Sequence, residues 1–424
     1  MEIICIFCLL AYAFFARYLS RVLSLNSLSL INTFTYFWLV IVLMSILHLY
    51  GLYRISSYVY LLVLMGSGCF LIGYFLYGYF SRSKQMLQDV CSIEIVKDFT
   101  LLFYVVLTTA VVLVLTQVAL LLPLILSSGM AEARHMWAED ESLRLSGTWD
   151  MLVSYFAKPF IKASLFLMII SLFQQGASKS KILLMSILGI VYFFSEGGRS
   201  FIMDMFFVLC YLFYVYHHSL SRHTLVVLKN FIIFVALMPI LATLQRGYDD
   251  IFYGMYTYYC GSLTYLTKLI ETKAYLFQDN LYGMASYQGL VKPVFGVLAS
   301  MGMDKPDLLV SANNFIIKVQ ELNLYIAPET KMNYFATCFG YSYRDGGVAG
   351  VLLGMIIYGM ICSYIDMKES MNLGSTKWLA LKGLFFSQIF FTMSYMPYSK
   401  YMNGMVLIFI LLICNSKMSK KNIL

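Results

Sequence analysis

Charge is scarce in this chain: 12% of its 424 residues are charged and 60% are hydrophobic, whereas a soluble domain carries about 25% charged residues. No water-soluble fold could hide that much apolar side chain. The first apolar block, Ile3 to Ala16, has no basic residue ahead of it and no small-residue cleavage site behind it. It is therefore expected to be a first membrane span rather than a removable signal. Metal-type spacing is missing from the nine cysteines. Cys5, Cys8, Cys69, Cys210, Cys362 and Cys414 lie in apolar segments, where a thiol behaves as a small hydrophobe. Cys260 and Cys338 fall in a region expected outside the membrane, and a disulfide between them stays open. No internal repeat, low-complexity tract or inverted half marks a common transporter architecture. The net charge of +8 is scattered over many loops, which argues against a nucleic-acid partner.

What the chain does have is apolar blocks, at approximately 2–17, 30–52, 58–80, 99–128, 151–174, 182–195, 200–216, 225–244, 347–365, 376–396 and 403–415. A hydrocarbon core of about 30 Å needs roughly 20 helical residues. Strands would leave ladder groups unpaired in lipid, and the blocks lack the alternation of a barrel. The expectation is an all-α polytopic membrane protein, one integral-membrane domain over 1–424, with about eleven transmembrane helices. Placing the N-terminus outside gathers Arg17, Arg21, Arg82, Lys84, Lys97, Lys179, Lys181, Arg222, Lys229, Lys368, Lys377, Lys417, Lys420 and Lys421 inside. The opposite short loops hold little beyond Arg54, Arg134, Arg144, Arg199 and Lys400, so the positive-inside rule selects N-out, C-in.

Two outside segments differ from the rest. Residues 129–150 form an acidic loop whose Trp137 and Trp149 suit a membrane surface. Residues 245–346 make a large loop of about a hundred residues, far beyond an ordinary structureless connection. Ile251 to Ile270 and Asn313 to Leu324 have helix-like spacing, and no stretch alternates as a strand. Short helices capping the outer face are expected there.

Three local features carry the chemistry. Ser195-Glu196-Gly197-Gly198-Arg199-Ser200 is a tight outside hairpin whose Arg199 is drawn toward the bilayer surface. A guanidinium there suits a phosphate or diphosphate, with snorkelling or pairing to Glu196 as the alternative. Leu244-Gln245-Arg246-Gly247-Tyr248 opens the long loop on the same side, and Arg246 there either joins an anion site or only marks the boundary. Phe339-Gly340-Tyr341-Ser342-Tyr343-Arg344-Asp345-Gly346-Gly347 closes the loop and leads into Gly346, Gly350 and Gly354, a spacing that lets another helix approach closely. Lys158 and Lys162, one turn apart, are placed to hold a lipid diphosphate or to snorkel. Asp204, an acid inside an apolar span, is a functional candidate or pairs with a Tyr or Lys. Tyrosines 248, 253, 256, 258, 259, 265, 282 and 287 crowd the long loop, as sugar contacts or as an interfacial belt. His135, His217, His218 and His223 are expected near headgroups, without metal.

The Gly-Gly-Arg-Ser hairpin, the Arg-Gly at the mouth of a large outside loop and the exit FGYSYRDGGVAG together resemble the O-antigen and oligosaccharide repeat-unit polymerases, the Wzy-type family. The resemblance extends to size, helix number and loop position. It implies a multi-helix membrane glycosyltransferase architecture (GT-C-like), related to O-antigen ligases and shape-determining peptidoglycan polymerases. It further implies a bacterial inner-membrane location, an active site facing the periplasm, and lipid-linked substrates on undecaprenyl diphosphate with no cofactor. A chain-length-determining co-polymerase is the implied protein partner.

On that basis Arg199, Arg246 and Arg344 are expected to neutralise the departing diphosphate. The base for the acceptor hydroxyl is sought among Glu196, Asp249, Asp250 and Asp345, with Asp249 and Asp250 favoured because they follow Arg246. Tyr248, Tyr341 and Tyr343 are expected to bind substrate. Ligases are thought to place a periplasmic His near this site, and the long loop has none, which favours polymerase over ligase. A flippase for the same lipid-linked sugars is the rival from another class.

Overall fold

The computed structural model describes residues 1–85, 94–129, 136, 147–176, 179–196, 200–217, 251–333 and 335–423. Among them the apolar blocks are helical over most of their length; block 225–244 lies outside the described residues. The helices are α1 (Glu2–Val22), α2 (Leu30–Ile46), α3 (Ser57–Gln85), α4 (Leu101–Ser128), α5 (Gly147–Gln175), α6 (Lys179–Glu196) and α7 (Ser200–Tyr216). After residue 250 come α8 (Ile251–Thr272), α9 (Met284–Ser300), α10 (Asp307–Glu321), α11 (Thr337–Met371), α12 (Thr376–Ile389) and α13 (Tyr401–Asn415).

Among the described residues five helices, α1, α3, α4, α5 and α11, are long and apolar enough to cross a membrane, and α2, α7 and α13 are apolar but shorter. The protein is thus α-helical with the apolar helices of a membrane-embedded chain. Block 376–396 shows why hydropathy overcounts length: α12 stops at Ile389 and the chain continues through turns to Ser394. One turn of α5, Leu152–Ala157, is π-helical, a distortion that tends to occur at functional positions.

The core is built where α3 and α11 touch backbone to backbone. A Cβ at Gly73 would lie 2.1 Å from the Ile356 carbonyl oxygen, and one at Gly359 would lie 2.1 Å from that of Phe70. Small residues at these positions let two apolar helices approach and gain dispersion contacts that lipid cannot replace. Beside this seam Phe34 stacks on Phe70 at 4.0 Å and Trp38 meets Phe339 at 4.6 Å.

Strands, unexpected from the sequence, form two short ladders. β1 (Glu94–Phe99) pairs antiparallel with β4 (Ser419–Ile423), and β2 (Leu324–Ala327) pairs with β3 (Thr330–Met332). Each has six residues or fewer, too short for alternation to register. The first ladder ties one end of the bundle together: Gln175 Nε2 donates to the Val96 carbonyl at 2.5 Å, the Val96 N–H to Thr376 Oγ1 at 3.0 Å, and Thr100 Oγ1 to the Lys417 carbonyl at 2.9 Å. At the other end the Ser56 N–H donates to Thr267 Oγ1 at 3.2 Å and Tyr256 Oη to the Met44 carbonyl at 2.8 Å.

Within 245–346 the first expected helix is present as α8; the second is shifted, with α10 running from Asp307 to Glu321 and Leu324 opening β2. α9 was not anticipated, because Gly289, Pro293 and Gly296 punctuate it. The glycines are needed: a Cβ at Gly289 would sit 2.4 Å from the Lys400 backbone, and one at Gly296 would sit 2.5 Å from the Tyr155 ring. Cys260 and Cys338 are buried free thiols, and burial pushes the Cys260 thiol up to about 12.

Candidate functional site

The motif that closes the long loop is helical, and it folds back on its own continuation. α11 breaks at Gly346 and Gly347, the latter at φ +61° and ψ −142°, which an L side chain adopts only with strain. The short outer part, Thr337 to Asp345, lies against the inner part: a Cβ at Gly350 would fall 2.2 Å from the Ser342 carbonyl oxygen, and one at Gly354 would fall 2.9 Å from Ser342 Oγ. The small-residue spacing seen in the sequence thus serves packing within α11 itself. The Cys338 N–H donates to the Thr392 carbonyl at 2.7 Å and fixes the start of the outer part.

The break presents Arg344 and Asp345 to the helices of the long loop. Asp345 Oδ1 accepts the Ala285 N–H at 2.7 Å, Oδ2 accepts the Ser286 N–H at 3.0 Å, and its carbonyl accepts the Tyr282 N–H at 2.9 Å. These first-turn donors of α9 have no intrahelical acceptor, and a carboxylate also suits the positive end of the helix. Asp345, a candidate base by sequence, is occupied as a cap.

Arg344 is 8% exposed, and among the described residues its Nε and Nη1 have no hydrogen-bond partner. Its guanidinium carbon lies 5.8 Å from the Phe315 ring centre, a cation–π contact that offsets only part of the desolvation. A buried charge without a paired group is costly, and the fork of donors matches a phosphate or carboxylate. Around it the Tyr341 ring is fully buried, edge-on to Phe315 at 5.6 Å. Tyr343 packs on Phe277 at 5.4 Å, and its Oη is 3.1 Å from Tyr58 Oη.

The lysine pair behaves otherwise. Lys158 Nζ lies 3.2 Å from Glu196 Oε1 and donates to the Ser195 carbonyl at 3.1 Å. Lys162 Nζ pairs with Asp204 at 2.5 Å, and Asp204 also accepts from Ser387 Oγ at 2.9 Å and Gln388 Nε2 at 3.4 Å. The structure does not bring this pair next to Arg344. α9 lies between them, from Ala285 under Asp345 to Gly296 under Tyr155, a rise of about 16 Å.

Arg199, Arg246, Tyr248, Asp249 and Asp250 lie outside the described residues. Most of the remaining long-loop tyrosines serve packing. Tyr265 Oη donates to the Val319 carbonyl at 3.0 Å, Tyr287 Oη to that of Gly354 at 3.2 Å, Tyr253 bonds Thr330, and Tyr258 meets Phe335 edge-on. Tyr282 is different, with 78% exposure.

Sequence reasoning missed a buried ionic cluster joining α2, α3, α11 and α12. Lys382 Nζ is 2.9 Å from both Asp366 Oδ1 and Glu369 Oε2, and Asp366 Oδ2 accepts the Leu30 N–H and Tyr74 Oη–H at 2.6 Å each. A lysine inside the apolar block 376–396 was the available signal. Among the described residues no three His, Cys, Asp or Glu side chains are grouped as metal ligands would be.

Fold and site together define an α-helical protein with helices of membrane-spanning length and, at a broken helix, a buried arginine with two nitrogens unpartnered among the described residues. No family model, no curated protein and no solved structure matches the chain.

Proposed function

We propose that this protein polymerises oligosaccharide repeat units carried on undecaprenyl diphosphate, at the periplasmic face of a bacterial inner membrane, as a GT-C-like glycosyltransferase. The observation that carries the reading is Arg344, buried with two guanidinium nitrogens unpartnered inside the FGYSYRDGG motif that resembles the Wzy-type polymerases. In the reaction an acceptor sugar hydroxyl gives its proton to a carboxylate and forms a C–O bond to the donor's anomeric carbon while the anomeric C–O bond to the diphosphate breaks. The bonding pair leaves on the diphosphate, whose growing charge a fixed guanidinium stabilises more than it does the ground state. Arg199 and Arg246 are proposed to complete the anion site from the flanking hairpin and loop mouth. Tyr248, Tyr341 and Tyr343 are proposed to line the sugar path. A chain-length-determining co-polymerase is the proposed partner.

Surface polysaccharide from cells lacking the protein tests this reading against its rivals. Single capped repeat units at the surface, in place of a ladder, support polymerisation. Loss of export of the repeat unit identifies a flippase, and loss of all surface glycan from a strain with intact export identifies a ligase.

A further inference from the structure

The connector between the 3-10 turn Ala274–Phe277 and α9 is built in a way that packing alone does not explain. Leu281 is buried in the core, the Tyr282 N–H is held by the Asp345 carbonyl at 2.9 Å, and the Met284 N–H returns to the Leu281 carbonyl at 2.9 Å. On this fixed backbone Tyr282 adopts φ +49°, a left-handed conformation that bulky L residues rarely hold, and its neighbour Gly283 stands at φ +93°. A strained non-glycine residue persists only where its surroundings enforce it, and such residues gather at functional sites. The strained residue here carries an aromatic ring, 78% exposed, and its N–H bonds the carbonyl of Asp345, the neighbour of Arg344.

Three residues earlier on the same connector, which the Tyr282 N–H ties to the carbonyl of Asp345 next to Arg344, Asp279 is exposed. Asp345 is committed to the α9 cap and Glu196 to Lys158. Among the described residues, Asp279 is the exposed acid of this connector.

Resting on the polymerase reading, we propose that residues 278–283 form the acceptor-sugar subsite, with Tyr282 as the stacking platform for a pyranose ring and Asp279 as the acceptor of its hydroxyl proton. The apolar C–H face of a pyranose lies on an aromatic ring while its hydroxyl rim points to polar groups, the mix that ligand sites present. As the hydroxyl oxygen bonds to the donor's anomeric carbon, its proton passes to the Asp279 carboxylate. The bonding pair of the cleaved C–O bond leaves on the diphosphate held by Arg344. Asp279 and Arg344 thus act on opposite charges of one displacement.

The test uses the full-length protein in lipid nanodiscs and, as substrate, the lipid-linked repeat unit isolated from cells lacking the protein. Tyr282→Leu keeps an apolar side chain but removes the ring, and is expected to raise KM at least about tenfold with kcat nearly unchanged, while Tyr282→Trp keeps KM near wild type. Asp279→Asn is expected to lower kcat by about a hundredfold or more at unchanged KM, with Asp279→Glu restoring part of it. Wild-type KM in Tyr282→Leu, or wild-type kcat in Asp279→Asn, overturns the subsite while leaving the polymerase reading intact. If the wild-type protein does not elongate the substrate, the polymerase reading fails, and the subsite with it.

Discussion

Arg344 and Asp345 are consecutive residues that form no ion pair with each other. The carboxylate turns to the first turn of α9, with bonds of 2.7 and 3.0 Å, and leaves the buried guanidinium with Nε and Nη1 unpartnered. One residue builds the frame and the other is proposed to bind a ligand.

Arg344 should therefore contribute little to stability. Removing a buried charge that no group pairs relieves its desolvation, whereas removing a paired one leaves a partner stranded. Arg344→Met is expected to melt at or above the wild-type temperature in detergent, with a gain of up to about 1–3 kcal/mol. A fall of several degrees would show that the guanidinium already has a structural partner.

Asp345 should behave in the opposite way. Asp345→Ala is expected to cost about 1–2 kcal/mol and to expose the connector before α9 to limited proteolysis. Asp345→Asn keeps one amide oxygen as acceptor and is expected to lose less and to retain most polymerisation. Full stability with abolished activity in Asp345→Asn would return this residue to the list of catalytic bases.

The fold-back of α11 makes a steric prediction. A Cβ at Gly350 meets the Ser342 backbone oxygen at 2.2 Å, whereas one at Gly354 meets the Ser342 side chain, with Oγ at 2.9 Å. Ser342→Ala should thus rescue much of the loss of folded protein in Gly354→Ala and none of it in Gly350→Ala. Equal rescue of both, by yield after size-exclusion chromatography, would mean that the outer and inner parts of α11 are not packed this way.

At the other end of the bundle, Lys382→Met strands Asp366 and Glu369 among apolar helices. The expected cost is about 3–5 kcal/mol, enough to remove most folded protein from the membrane fraction. Adding Asp366→Asn and Glu369→Gln should recover part of it. A well-folded single variant would show that the two carboxylates do not depend on Lys382.

What the sequence disclosed follows from the solvent. In lipid the backbone must satisfy itself, so the apolar blocks became helices and the glycine spacing became close contacts. Partners far apart in the chain were hidden. Asp345 reads as chemistry inside FGYSYRDGG, and only the fold shows that it caps α9, with its first contact at Ala285. Lys162 finds Asp204 across 42 positions, and β1 finds β4 at the far end of the chain. α9 was obscured by the glycines its neighbours require, and Tyr282 was lost among tyrosines that are mostly structural. Its exposure and strained backbone exist only in three dimensions.

The most direct test of the polymerase account is elongation by the purified protein. Wild type in lipid nanodiscs, given only lipid-linked repeat units, should produce chains of increasing length and release one undecaprenyl diphosphate per linkage, while Arg344→Ala at equal folded concentration should produce none. A wild-type protein that leaves the repeat units single, or an Arg344→Ala variant that elongates them at the wild-type rate, would contradict it.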